Sequence, residues 1–82
     1  MEIVVSRHAK RRMALYGISR EDVLKTLERG RRATTGELGR NESIDQRLTG
    51  KYGYPIKVVF NEEQGRLTVV TAYPLKKERK KP

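Results

Sequence analysis

The chain of 82 residues contains no cysteine and carries a formal charge of +9, from 19 basic and 10 acidic residues. This length suits one small domain with a thin hydrophobic core, and the lack of cysteine excludes disulfides and thiolate metal sites. No apolar run is long enough to span a membrane and the N-terminus lacks a signal-peptide pattern, so we expect a cytoplasmic protein.

The positive charge is spread along the chain and is not confined to its end. Residues 76–82 carry five bases and one acid, and residues 1–75 still have a net positive charge. We expect a single domain over 1–75 and a basic, disordered tail over 76–82. The positive charge of both parts favours a polyanionic partner, most simply RNA. The charge can also serve solubility alone. One phenylalanine and four tyrosines offer few surfaces on which bases can stack.

Helix signals dominate the first thirty residues. The apolar run over 1–5 predicts a brief strand, after which Ser6 is a candidate N-cap and Gly17 a candidate left-handed C-cap. Ser19 begins a second helix with an acidic residue three positions later, and Gly30 ends it. Two short helices joined by a tight turn are therefore expected.

From residue 31 the apolar period becomes that of strands. We predict strands in 31–38, 43–50, 55–61 and 66–73, with the sequence EEQG at 62–65 as a hairpin loop between the last two. In the last strand, Leu67, Val69, Thr71 and Tyr73 are expected on one face. The predicted fold is α+β, with two N-terminal helices packed on a three- to four-stranded antiparallel sheet.

The first helix places its basic residues on two sides. At 100° per residue, His8 and Arg12 lie within the arc of the apolar residues, which are Ala9, Met13, Leu15 and Tyr16. The basic residues on the solvent side are Arg7, Lys10 and Arg11. A guanidinium that faces a sheet needs a carboxylate, a carbonyl or a bound anion. Either Arg12 pairs with Asp45 or a glutamate and His8 bonds to backbone, or both line a groove that holds a phosphate.

The segment SRHAKRRMALYGISREDVLKTLERG resembles the opening of the DUF4258 domain family. The matching residues are His8, Ala9, Arg12, Met13, Gly17, Ile18, Ser19, Val23, Leu27 and Gly30. The closing segment IKVVFNEEQGRLTVVTAYP is similar to the final hairpin of the family, including its Val-Thr-x-Tyr phrase at 70–73. The resemblance covers residues 5–74. It departs from the family at Tyr16, which stands where a second arginine of the helix is usual.

The family is similar in layout to the RelE-like toxin fold, a group of small metal-independent ribonucleases. The resemblance therefore implies an RNA endonuclease with RNA as substrate and a protein antitoxin as a further partner. It implies no cofactor. This is an analogy at the level of fold, which yields a hypothesis of function.

Metal-free RNA cleavage needs a base for the ribose 2′-hydroxyl, cations for the phosphate and an acid for the leaving oxygen. His8 is the natural base or acid, and the planar guanidinium of Arg12 is the natural phosphate clamp. The second acid–base role falls to Tyr73, Lys57, a glutamate or water. Residues expected to contribute further RNA or phosphate contacts are Arg11, Arg47, Lys57 and Thr71.

Each of these assignments has a plainer alternative. Tyr73 has the pattern of a core or rim aromatic, and Arg47 and Lys57 alternate with apolar neighbours as solvent-facing strand residues do. One histidine and scattered carboxylates form no metal-ligand pattern. The alternative functions are a non-catalytic nucleic-acid-binding module and a partner-binding domain with an exposed strand edge.

Overall fold

Residues 2–34 and 40–75 are described by a computed structural model of the chain. The strands are β1 (Glu2–Val5), β2 (Arg31–Thr34), β3 (Asn41–Asp45), β4 (Ile56–Glu63) and β5 (Arg66–Pro74). The helices are α1 (Arg7–Tyr16), α2 (Arg20–Arg29) and the short α3 (Thr49–Tyr52), which follows a 3₁₀ turn at Gln46–Leu48. The predicted tail and the end of the predicted strand over 31–38 lie outside the described residues.

The strands form one five-stranded sheet in the order β1-β5-β4-β3-β2. The α+β class is confirmed. The predicted three- to four-stranded antiparallel sheet is confirmed in part: β2 to β5 pair antiparallel, but β1 adds a fifth strand at the edge, parallel to β5. Ile3 and Val5 lie beside Leu67 and Val69, so the apolar run at the start of the chain extends the core face of the sheet. That pairing joins opposite ends of the chain, which local sequence patterns cannot specify.

The predicted helix starts are confirmed. The Ser6 hydroxyl accepts a hydrogen bond from the Ala9 N–H at 3.0 Å, and the Ser19 hydroxyl accepts one from the Asp22 N–H at 3.1 Å. Each hydroxyl satisfies a backbone donor that the first helical turn leaves without an intrahelical partner.

The two predicted helix ends differ from each other. Gly17 takes the left-handed conformation with φ of 69°, and the Ile18 N–H donates back to the Met13 carbonyl at 2.8 Å, which closes α1. Gly30 ends α2 with φ of −73° and so is not a left-handed cap. A Cβ at Gly30 would lie 2.4 Å from the Ser43 hydroxyl oxygen, so glycine is required there for space.

The core lies between the sheet and the helices. From β4, the side chains of Ile56, Val58 and Phe60 are buried against this layer. Helix residues in the same core include Ala9, Val23 and Leu27, with Ile18 from the turn between the helices.

A β-bulge in β5 changes the predicted face of the last strand. Phe60 pairs with Val69 but Val59 pairs with Thr71, so Val70 is an extra residue in β5. Beyond the bulge, Ala72 is buried on the core face. Thr71 and Tyr73 are therefore not on the same face as Leu67 and Val69, which corrects the prediction; both are half-buried.

The predicted strand over 43–50 is only half a strand. It ends at Asp45, whose carboxylate accepts a hydrogen bond from the Arg47 N–H at 3.0 Å and turns the chain into the 3₁₀ turn. Leu48 is buried although it is no longer in a strand. The apolar spacing of Ile44 and Leu48 therefore matched the period of a strand, although Leu48 is buried without pairing in the sheet.

The hairpin loop between β4 and β5 is shorter than EEQG. Only Gln64 and Gly65 lie between the strands, with φ of 44° and 79°. Positive φ at both central residues is the turn geometry that matches the twist of an antiparallel pair. Separately, no helix of residues 2–34 and 40–75 is long and apolar enough to cross a membrane.

Candidate functional site

Three of the residues predicted to act on RNA meet at the edge of the sheet. A cavity of about 270 Å³ lies between α1 and β5 and is lined by Arg12, Tyr16, Thr71 and Tyr73. Arg12 and Tyr16 are one helical turn apart on α1, and Thr71 and Tyr73 alternate along β5. The cavity therefore lies between α1 and β5, which carry the opening and closing segments of the family pattern.

The cavity lies beyond the end of β1, which is shorter than β5. The strand pair ends where Ser6 donates hydrogen bonds through its N–H to the Val69 carbonyl and through its hydroxyl to the Val70 carbonyl, both at 3.1 Å. Beyond that point α1, and not a strand, lies beside β5. The bulge at Val70 then gives Thr71 and Tyr73 the orientation in which they line the cavity.

Arg12 has no acidic partner in the described structure. Among residues 2–34 and 40–75, no carboxylate lies within ion-pair distance of its guanidinium, although the side chain is half-buried. The alternative in which Arg12 pairs with Asp45 is wrong, because Arg29 occupies that carboxylate at 2.8 Å. A guanidinium in this setting, beside three hydroxyl groups, can hold an anion.

His8 lies outside the cavity. The side chain is exposed, as is Leu15 at 67%, so the apolar arc of α1 is narrower than the helical wheel predicts. Placing His8 on the core-ward face is therefore wrong, since the wheel counted Leu15 as a core residue. His8 precedes Arg12 by one turn and is its neighbour along the surface of α1.

Lys57 forms an ion pair with a neighbouring carboxylate. Its ammonium lies 2.5 Å from a carboxylate oxygen of Glu42 and 5.8 Å from the centre of the Tyr73 ring. The hydrogen bond to Glu42 raises the pKa of Lys57 above its usual value, and the Tyr73 phenol adds to this effect. Lys57 therefore stays protonated at neutral pH. It neighbours the cavity through Tyr73, its cross-strand partner.

The two remaining predicted contacts, Arg11 and Arg47, do not line the cavity. Arg11 is exposed on the outer face of α1. The sequence pattern predicted Arg47 on a strand, but it is exposed in the 3₁₀ turn. Tyr16 lines the cavity, although the sequence placed it only in the apolar arc of α1 and as a departure from the family pattern, not as a site residue. Its position four residues after Arg12 was the available signal.

A buried carboxylate with several hydrogen-bond donors lies outside the cavity. Asp22 is buried and accepts hydrogen bonds from the Lys51 ammonium at 2.7 Å and the Tyr52 hydroxyl at 2.5 Å. These bonds, that of Lys51 first, lower the pKa of the Asp22 carboxyl. The cluster joins α2 to α3. Within the described ranges no group of three His, Cys, Asp or Glu side chains could hold a metal ion.

Fold and cavity together define a small, strongly basic α+β protein in which Arg12 lines a cavity at the edge of the sheet. The chain belongs to the family described as a domain of unknown function (DUF4258), whose sequence profile matches residues 5–74. The resemblance inferred from the sequence is thereby confirmed at the level of this family. No curated protein and no solved structure matches the chain. The likeness to RelE-like toxins stays a prediction.

Proposed function

We propose that this protein binds RNA and holds one phosphate of the strand in the cavity at Arg12. The observation that carries the proposal is Arg12, a half-buried residue that lines the cavity and has no acidic partner within residues 2–34 and 40–75. A partly desolvated guanidinium gains most from a bound anion, and its planar fork suits two phosphate oxygens.

The surroundings of Arg12 support a polyanion over an isolated anion. Exposed basic residues continue along the outer face of α1, namely Arg7, Lys10 and Arg11. With a net charge of +9 on 82 residues, the protein would attract nucleic acid at long range. The Thr71, Tyr16 and Tyr73 hydroxyls would then add hydrogen bonds at short range.

The proposal is tested by comparing two arginine variants of equal charge. Arg12→Ala removes the cavity guanidinium, whereas Arg20→Ala removes an exposed arginine at the start of α2. We expect Arg12→Ala to weaken binding of a short single-stranded RNA by about 30-fold, as for a hydrogen-bonded charged group, and Arg20→Ala by a few-fold at most. Fluorescence anisotropy at constant salt measures both. Equal losses in the two variants would contradict a phosphate site at Arg12.

A second candidate function is metal-independent cleavage of the bound RNA, of the RelE-like type. The observation that favours it is the exposed His8, one turn from Arg12 on α1, together with the Tyr73 hydroxyl in the cavity. In this reaction His8 takes the proton of the ribose 2′-hydroxyl, whose oxygen attacks the phosphorus. The 5′-oxygen leaves with a proton from Tyr73, and a 2′,3′-cyclic phosphate remains. Arg12 stabilises the added negative charge on the phosphate.

Cleavage is tested in EDTA with and without ribosomes. We expect a cyclic phosphate end from RNA, no product from the same strand with 2′-O-methyl groups, and a loss of at least 100-fold in rate for His8→Ala. Binding that persists in His8→Ala while wild-type protein cleaves nothing would support a non-catalytic RNA-binding module. Cleavage would also make a protein antitoxin the expected partner.

A further inference from the structure

A second and larger cavity lies at the end of the β4–β5 pair. Its volume is about 510 Å³ and its lining comes from the 3₁₀ turn, the ends of α3, the chain entering β4 and the residue after β5. The lining residues are Gln46, Thr49, Gly53, Tyr54, Pro55 and Leu75. The volume falls within the range of about 300–1,000 Å³ that small-molecule sites occupy.

The lining combines flat apolar surface with a few polar groups. Tyr54 is 40% exposed, and Pro55 and Leu75 add half-buried apolar area. The Gln46 amide supplies both a donor and an acceptor, and the Thr49 hydroxyl supplies another of each. A nucleobase has the matching shape, since its faces stack on aromatic and aliphatic groups while its edge needs hydrogen bonds.

The second cavity continues the line of the first along β5. The Leu75 N–H donates to the Pro55 carbonyl at 2.7 Å, which extends the β4–β5 ladder by one residue. Leu75 is two residues beyond Tyr73, a distance of about 7 Å along an extended strand. That distance joins one lining residue of each cavity and is comparable with one nucleotide unit, which would let a single strand contact both cavities. The chain continues from Leu75 into residues 76–82 with their five bases.

We propose that the second cavity binds one nucleobase of the RNA strand whose phosphate lies at Arg12, with Tyr54 as the stacking surface and Gln46 and Thr49 at the base edge. The proposal rests on the proposed function and extends it by assigning a base-recognition site. The RNA must be single-stranded there, because a base paired in a duplex cannot present its face to Tyr54.

The base site is tested first without RNA. Each of the four common ribonucleosides is titrated into ¹⁵N-labelled protein, and the amide signals of Thr49 and Gly53 are followed. We expect saturable shifts with at least one nucleoside in the wild type and in Arg12→Ala, and their loss in Tyr54→Ala. Leu15→Ala, which removes an exposed apolar side chain away from both cavities, should keep them. The absence of shifts with all four would overturn the base site whatever happens at Arg12.

A second measurement links the two cavities. A short RNA is compared with the same strand containing abasic positions. We expect Tyr54→Ala to weaken binding of the intact strand about tenfold, to leave the abasic strand unaffected, and to be rescued by Tyr54→Phe. Gln46→Ala should alter which bases are preferred.

If Tyr54→Ala weakens both strands equally, the base site is wrong while a phosphate site at Arg12 stands. If Arg12→Ala binds RNA as the wild type does, the proposed function fails, and nucleoside shifts alone would define a separate site.

Discussion

Asp22 is the buried carboxylate on which α2 and α3 depend for their contact. Its partners Lys51 and Tyr52 approach from the short helix, and the Ser19 N–H donates to the Tyr52 hydroxyl at 3.3 Å. Lys51 itself is 60% exposed in its side chain, so the surrounding water weakens the ion pair while the hydrogen bonds to Asp22 remain. The stabilising effect therefore belongs mainly to the buried carboxylate and its donors.

We expect Asp22→Asn to lower the free energy of unfolding at pH 7 by about 2 kcal/mol, because the charged acceptor is lost while the size is kept. The pKa of the folded Asp22 is lowered, so its contribution is complete above the unfolded value of 3.8 and is lost as the pH falls through the folded pKa. Urea denaturation at several pH values measures both effects.

The matched control is Glu21→Gln, which removes an exposed carboxylate 3.7 Å from Lys25 and should cost at most about 0.5 kcal/mol. The difference between wild type and Asp22→Asn should shrink from pH 5 towards pH 2. A difference that stays constant over that range would show that the charge of Asp22 does not stabilise the fold.

At the scale of elements, the two helix ends use glycine for different physical reasons. Gly17 needs a left-handed backbone, and a Cβ there would meet nothing within 4 Å. Gly30 has an ordinary backbone but no room, since a Cβ would also lie 2.5 Å from the Thr26 carbonyl oxygen. That oxygen already accepts the Ser43 hydroxyl at 2.7 Å, which ties the end of α2 to β3.

We expect Gly17→Ala to cost about 1 kcal/mol through backbone strain alone. Gly30→Ala should cost about 2–3 kcal/mol, because it displaces the α2–β3 contact as overpacking does. Gly50→Ala, in α3 with open space around it, should be neutral or slightly stabilising. Thermal and urea unfolding of the three variants give the ranking. Equal costs at Gly17 and Gly30 would mean that the close approach of α2 and β3 does not constrain the fold.

At the scale of the whole molecule, charge and cavity make separable contributions to RNA binding. The body of the protein and residues 76–82 both carry excess positive charge, whereas the cavity at Arg12 is a single place in the fold. Counterion release depends on the number of phosphates neutralised and therefore adds over the surface. A specific contact changes the affinity by a factor that is nearly independent of the rest.

We expect a variant ending at Leu75 to bind RNA more weakly and with a shallower dependence on salt, by up to about 0.7 in the log–log slope for each basic residue removed. The ratio of affinities between this variant and its Arg12→Ala form should match the ratio in the full chain. Anisotropy titrations between 50 and 300 mM salt test this. An affinity independent of salt would exclude binding through phosphates.

Several features of the site were predictable because they are encoded locally. Arg12 could be singled out from the helical wheel, and Thr71 and Tyr73 from the family pattern of the last strand. His8 was misplaced because the wheel treats every apolar residue as buried, and Leu15 is not. The second cavity was not predictable in this way, because a 3₁₀ turn and a short helix lie where the alternation of apolar and polar residues predicted a strand.

By itself, the sequence determined the family, the two capped helices and the β4–β5 hairpin, because caps, turns and apolar periods act within a few residues. Only the tertiary structure decided that β1 pairs in parallel with β5, that a bulge turns Thr71 and Tyr73 towards α1, and that Arg29 takes the Asp45 carboxylate. These are outcomes of competition between distant groups for the same edge, space or partner. Arg12 itself lines a cavity between α1 and β5, two strands away from the Asp45 carboxylate in β3.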